Sequence, residues 1–111
     1  MTDEEFRATV GDGDEGPVIH LVGTVNRVAK EPLDAAYVEA SSHAGEIMLD
    51  FSDVDYINST GIAVIVGILA MARSGDRTVG ARGLTQHYRE VFEITRLSDF
   101  MNIYQQTSTG D

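Results

Sequence analysis

Strands that alternate with helices predict an α/β domain for this chain: a mixed, mostly parallel β-sheet packed with helices on one side or both. Four stretches carry that expectation. Val18 to Val22 is a β-branched run bounded by Pro17 and Gly23, and Ile47, Leu49 and Phe51 alternate as one face of a strand. Leu33, Ala36, Tyr37, Ala40 and Ala44 recur at helical spacing, and Ile62 to Ala72 is apolar for longer than a strand needs. The length, 111 residues, fits one domain and leaves little room for a second. Residues 1–111 are therefore read as a single domain, with 1–5 and 105–111 as loose ends.

The elements follow in order. Phe6 to Val10 reads as a short strand, ended by the turn-rich Gly11-Asp12-Gly13-Asp14-Glu15-Gly16 and paired with the strand at Val18 to Val22. Pro32 to Ala44 is the first helix, with Pro32 suited to its first turn and Gly45 to the residue past its end. Glu46 to Phe51 is the next strand, and Ser52 to Ile57 a polar link. The second helix runs from Ile62 to Ala72 and stops at Ser74-Gly75-Asp76. Thr78 to Ala81 is a short strand, and Leu84, Tyr88, Val91, Phe92 and Thr95 mark a third helix. A last segment, Phe100 to Tyr104, is expected to turn Phe100 and Ile103 inward. The order is ββαβαβα plus a short terminal element.

Charge and composition narrow the function classes. Eight basic against 18 acidic residues leave a net charge of −10, which disfavours direct nucleic-acid binding and anionic membrane surfaces. Residues 1–16 hold six of the acids (Asp3, Glu4, Glu5, Asp12, Asp14, Glu15) against Arg7 alone. No cysteine is present, so disulfide, thiolate and zinc–cysteine chemistry are excluded. The first residues are acidic where a signal peptide needs a basic start. The longest apolar run, Gly61 to Ala72, falls short of the roughly 18–20 residues that span a bilayer. A cytoplasmic protein with no membrane partner is expected.

The stretch most loaded with chemistry is Asn58-Ser59-Thr60-Gly61, at the mouth of the apolar helix. Ser, Thr and Asn are preferred helix N-caps, because their side-chain oxygens accept free N–H groups of the first turn. The same helix end tolerates an anion, so a serine there could carry a phosphate. The two readings are compatible. The helix that follows has no polar residue on any face from Ile62 to Ala72. Full coverage is difficult in so short a chain, and an exposed apolar strip beside Ser59 would mark a partner surface, for another protein or for a weak homodimer.

Other chemistries find less support. A hydrolase elbow needs Gly-x-Ser-x-Gly; Ser59 and Gly61 match, but Ile57 stands at the first glycine position and His87 is the only later histidine. His20, His43 and His87 lack metal-ligand spacing. The sequence Asp12 to Pro17 departs from a calcium loop at its third ligand and its glycine, and Gly80-Ala81-Arg82-Gly83 lacks the lysine of a phosphate loop. Asn58-Ser59-Thr60 fits a glycosylation sequon that a protein without a secretion signal would not use. No cofactor and no catalytic activity are expected.

The run Leu49-Asp50-Phe51-Ser52-Asp53-Val54-Asp55-Tyr56-Ile57-Asn58-Ser59-Thr60-Gly61-Ile62 resembles the signature of the STAS domain of bacterial anti-sigma factor antagonists. There a strand ending in Asp-x-Ser leads to an Asp-Ser-Ser/Thr-Gly loop and an apolar helix. Arg89 to Phe100 is similar to the family's closing helix and last turn, so the likeness runs from about Val18 to Tyr104. It implies a single STAS-like domain and a protein switch. Such an antagonist binds an anti-sigma factor that is also a serine kinase with a histidine-kinase-like ATPase fold, and so frees a sigma factor. The kinase phosphorylates the serine aligned with Ser59, with Thr60 the weaker candidate, and a PP2C-type phosphatase resets the switch. Partner contacts are expected from Asn58, Ser59, Thr60, Gly61, Ile62, Ala63, Val66 and Asn26. The chain departs from the family at three places: Asn58 replaces an aspartate, Gly23-Thr24-Val25-Asn26 stands for Gly-Glu-Leu-Asp, and Thr95-Arg96-Leu97 for Thr-Gly-Leu. The alternative within the same family is a constitutive STAS subunit of a larger assembly, such as a transporter accessory subunit or a signalling scaffold, without reversible phosphorylation.

Overall fold

Asp14 and Glu15 alone turn the first strand, β1 (Arg7–Gly13), back into β2 (Gly16–Val25), in a computed structural model that describes residues 6–104. The ends expected to be loose, 1–5 and 105–111, lie outside the described residues. The hairpin is longer than the composition suggested: Gly11, Asp12 and Gly13 pair with Val18, Pro17 and Gly16 instead of forming a turn. An edge strand whose outer residues face water can use Gly and Asp where a central strand could not. Phe6, Ala8 and Val10 meet the core on one side, while Arg7, Thr9 and Gly11 are exposed.

From β2 the chain enters a 3-10 turn (Arg27–Ala29), α1 (Lys30–Ala40), β3 (Ile47–Ile57), α2 (Ser59–Ser74), β4 (Val79–Arg82), α3 (Gln86–Ile94), a second 3-10 turn (Leu97–Asp99) and β5 (Asn102–Ile103). The five strands lie in sequence order, β1 antiparallel to β2 and every later pair parallel. Each parallel crossover moves one strand further in the same direction. Right-handed connections then put all three helices on one face. Burial agrees: Ile19, Leu21, Ile47 and Leu49 are fully buried on the helix side, whereas Val18, His20, Val22 and Met48 on the other face are half-buried.

β3 corrects the expected polar link. It continues through Ser52 to Ile57, carrying two irregularities where it gains a residue against β2. Only Ile47 to Asp50 pair with β4; beyond that β3 has β2 as its single partner, which is why its second half is polar and exposed. The Asp50-Phe51-Ser52 sequence holds the first irregularity: Asp50 Oδ1 accepts from Ser52 N (3.0 Å) and Ser52 Oγ (2.7 Å).

α1 starts earlier and ends earlier than its apolar spacing suggested. Leu33, Ala36, Tyr37 and Ala40 are buried, but Ala44 is exposed in the following loop. Ser41 and Ser42 hydroxyls donate to the carbonyls of Val38 and Glu39 and close the helix, so Gly45 is not its cap. That loop is held by the Arg77 guanidinium, which donates to the carbonyls of Ser41, His43 and Gly45 at 2.7–2.8 Å. At the C-terminus, Phe100 is 53% exposed and lies under the Arg73 guanidinium, while Met101 is buried in its place. Arg96 in the left-handed region and the 3-10 turn after it shift the phase by one residue. Ile103 is half-buried against the core, closer to expectation. Among the described residues no helix is long and apolar enough to cross a membrane.

Candidate functional site

The parallel ends of β2 and β3 bring two polar turns together. The Asn58 N–H donates to the Val25 carbonyl (3.2 Å), so the loop entering α2 rests on the residue before Asn26. Asn26 in turn caps the 3-10 turn, its Oδ1 accepting from Val28 N at 3.0 Å. The sequence candidates Asn26 and Asn58–Ala63 are thus neighbours at one end of the sheet. Val66, 46% exposed, lies one to two turns along α2 from them.

Asn58 is the N-cap of α2. Its backbone is extended, its Oδ1 accepts from Gly61 N (2.8 Å), and its carbonyl accepts the first helical bond from Ile62 N (2.9 Å). The same Oδ1 accepts the Thr60 hydroxyl at 2.9 Å. Ser59 is the first helical residue, exposed, and among the described residues its Oγ has no hydrogen-bond partner. The cap role and the free hydroxyl that the sequence placed in one loop therefore fall on different residues. The helix begins three residues before Ile62, and its positive end lies at Ser59.

Gly61 is required by close approach. A Cβ on it would overlap the Val25 carbonyl, so no other residue lets α2 start against β2 in this position. Further along, Val64, Ile65, Ile68, Leu69 and Ala72 are buried, and Ala63, Val66, Gly67 and Ala70 are exposed. The expected apolar outer strip is present, built mainly of small residues. Ile62 is half-buried, packed against the core edge. Two larger exposed apolar groups lie at the same sheet end, Val28 on the 3-10 turn and Tyr56 near the end of β3.

Two supports were not singled out from the sequence. The Tyr88 hydroxyl on α3 accepts the Ile57 N–H (3.0 Å), anchoring the strand end next to the loop. A hydroxyl on the apolar stripe of an amphipathic helix was the signal available for it. On the open sheet face, His20 lies between carboxylates: its Nε2 is 2.8 Å from Asp53 Oδ2 and its Nδ1 3.6 Å from Asp50 Oδ2, with Arg82 on Asp50 at 3.2 Å. Burial works against the Asp50 charge, but the Ser52 hydroxyl, the Ser52 N–H and the Arg82 guanidinium outweigh it and hold the carboxyl below its ordinary range. His87 is exposed and packs its ring against Tyr88 (centroids 4.8 Å apart); no hydrogen bond joins it to Ser59, which lies in a regular helical turn and not on a strained elbow.

The Anti-sigma-B factor antagonist of Bacillus subtilis (strain 168) is 23% identical over 92 residues, 83% of this chain and 84% of that protein. An anti-sigma factor antagonist from Mycobacterium paratuberculosis superposes with a TM-score of 0.72 at 17% identity, over 93% of this chain and 88% of that one. The Bacillus cell fate determinant SpoIIAA in its phosphorylated form superposes with a TM-score of 0.66 at 20% identity, over 94% and 93%. The family model described as Mlab, STAS domain, matches residues 8–103, which takes in every strand but the first residue of β1, all three helices and the Asn58–Gly61 loop. With nearly the whole described chain accounted for by that one model, the protein belongs to the STAS domain family.

Proposed function

We propose that this domain is an anti-sigma factor antagonist, a binding module switched by phosphorylation at Ser59. It sequesters an anti-sigma factor that is also a serine kinase and so frees a sigma factor. The observation that carries the reading is the contrast between adjacent hydroxyls. Ser59 is exposed and its Oγ is unengaged among the described residues, whereas Thr60 Oγ1 is bound to the cap of α2. Beside Ser59 runs the small, apolar outer face of α2, with Asn26, Ile62, Ala63 and Val66 offered to the partner. The relative named as an anti-sigma-B factor antagonist, and the solved phosphorylated form of SpoIIAA, support the same reading.

In this mechanism the kinase transfers the γ-phosphoryl group of ATP to Ser59 Oγ, and the hydroxyl proton is lost. The phosphate adds about −1.5 to −2 charges at neutral pH. At the first turn of α2 that charge meets the positive helix end, so the fold accepts it. The partner interface does not: a contact desolvated over Ile62, Ala63 and Val66 would have to bury a dianion. A PP2C-type phosphatase restores the binding form by hydrolysis.

The experiment incubates the chain with ATP and a purified anti-sigma serine kinase, and reads the peptide spanning Asp53 to Arg73 by mass spectrometry. Phosphate is expected on Ser59 and not on Thr60. Ser59→Asp is expected to weaken kinase binding tenfold or more while moving stability by no more than about 0.5 kcal/mol. An unmodified peptide, with Ser59→Asp binding as the parent does, sinks the switch. That outcome favours the second reading, a constitutive subunit of a larger assembly, which the family model's own description, Mlab rather than antagonist, keeps in view.

A further inference from the structure

Gly67 stands in the middle of α2, and no close approach among the described residues calls for a glycine there. Glycine is the poorest helix former after proline. At Gly61 the fold requires it, but a Cβ at Gly67 would meet no atom within 4 Å apart from its chain neighbours and the backbone of its own helix. Gly67 lines an open groove. Between the start of α1 and the face of α2 lies a cavity of 370 Å³, lined by Ala63, Val64, Gly67 and Met71, with Thr60 at one end and Arg27, Lys30 and Asp34 along the opposite rim. Lys30 is already engaged, its Nζ 2.7 Å from Asp34. Arg27 is exposed, and among the described residues no carboxylate lies within 4 Å of it. In a chain of net charge −10, a guanidinium that no carboxylate of the described residues pairs, on the rim of an apolar groove, is complementary to a carboxylate brought from outside.

We infer that this groove docks the anti-sigma partner through an acidic segment, which lays backbone or a small side chain on Gly67 and a carboxylate on Arg27. The inference rests on the reading above and adds the chemistry of the partner's contact. It also places the switch. A dianion on Ser59, next to the groove's end at Thr60, would repel the docked carboxylate and leave the fold of this chain untouched.

The test measures binding of the purified anti-sigma kinase by calorimetry, together with the Tm of each variant. Gly67→Ala is expected to raise Tm by about 2–6 °C, since alanine favours the helix and nothing opposes it. It is expected to weaken binding about tenfold or more, because the new methyl group occupies the contact. Arg27→Glu should weaken binding at least as much, Arg27→Lys should retain most of it, and Arg96→Glu, in the turn after α3, should leave binding at the parent level whatever its Tm, since Arg96 pairs with Asp99 away from the groove. Parent-like binding by Gly67→Ala, or a fall in its Tm, overturns the docking. Weakening by Gly67→Ala with parent-like binding by Arg27→Glu overturns the acidic chemistry of the occupant. A parent chain that neither binds the kinase nor is phosphorylated brings down the antagonist reading itself, an outcome separate from the other two.

Discussion

The hydroxyl of Tyr88, on the last helix, accepts the backbone N–H of Ile57 at 3.0 Å, and so a residue of α3 secures the strand end that presents Ser59. Ile57 sits after the second irregularity of β3, where the ladder to β4 has already ended, and no strand on that side can satisfy its N–H. Tyr88→Phe keeps the ring and removes the acceptor. The expected cost is about 1–2 kcal/mol for an orphaned, part-buried donor. Amide exchange at Ile57 should accelerate more than at Leu49, which lies in the doubly paired part of the same strand.

Gly61→Ala should be among the most damaging small substitutions in the chain. The methyl group would overlap the Val25 carbonyl, and backbone on both sides must shift to accept it. A loss of about 1–3 kcal/mol is expected, against a gain in Tm for the chemically identical change six residues later. Parallel thermal melts of the two variants make the comparison.

Asn58→Ala removes the cap of α2 and releases the Thr60 hydroxyl. The helix should lose about 1 kcal/mol. Asn58→Asp keeps both acceptor bonds and adds a negative charge at the positive helix end, so it should match or exceed the parent by about 0.3–1 kcal/mol. Denaturant titrations with unchanged m-values would attribute both effects to the folded state.

Asp50 gives the fold a defined response to acid. Its carboxyl is held below the ordinary range, so its charge stabilises the folded chain at pH values above that of an unfolded aspartate, about 4. The contribution disappears as pH falls through the lowered folded value. Asp50→Asn removes it at all pH values. The variant should be about 1–2 kcal/mol less stable than the parent near neutrality. The difference should shrink below about pH 4. A constant gap across that range would assign the loss to packing.

The α/β order, the hairpin, the three helices and the position of the site loop were legible in the sequence because each rests on periodicity or on local cap chemistry. Ser59, Thr60 and Asn58 could be placed at a helix mouth from residue type alone. Which of them caps the helix and which is free could not, since that depends on whether α2 starts at Ser59 or at Ile62, and Gly61 against Val25 decides it. The second half of β3 was read as a link because a strand paired on one side only can be as polar as a loop. Phe100 is the larger apolar side chain and is expected inward, but Arg96 in the left-handed region and the turn after it give the core Met101 instead. The His20–Asp50–Asp53–Arg82 cluster joins residues up to 62 positions apart across three strands, and only the register of the sheet reveals it.

The hydrogen bonds of the Asn58 cap leave position 59 as a free letter in the folding code. Its neighbours on both sides are constrained, one by the N–H of Gly61 and the other by the cap oxygen, while the side chain at 59 contributes nothing that the fold must keep. Its identity can therefore change at little cost to the chain's own folding, and a demand for a hydroxyl there would come from outside the molecule.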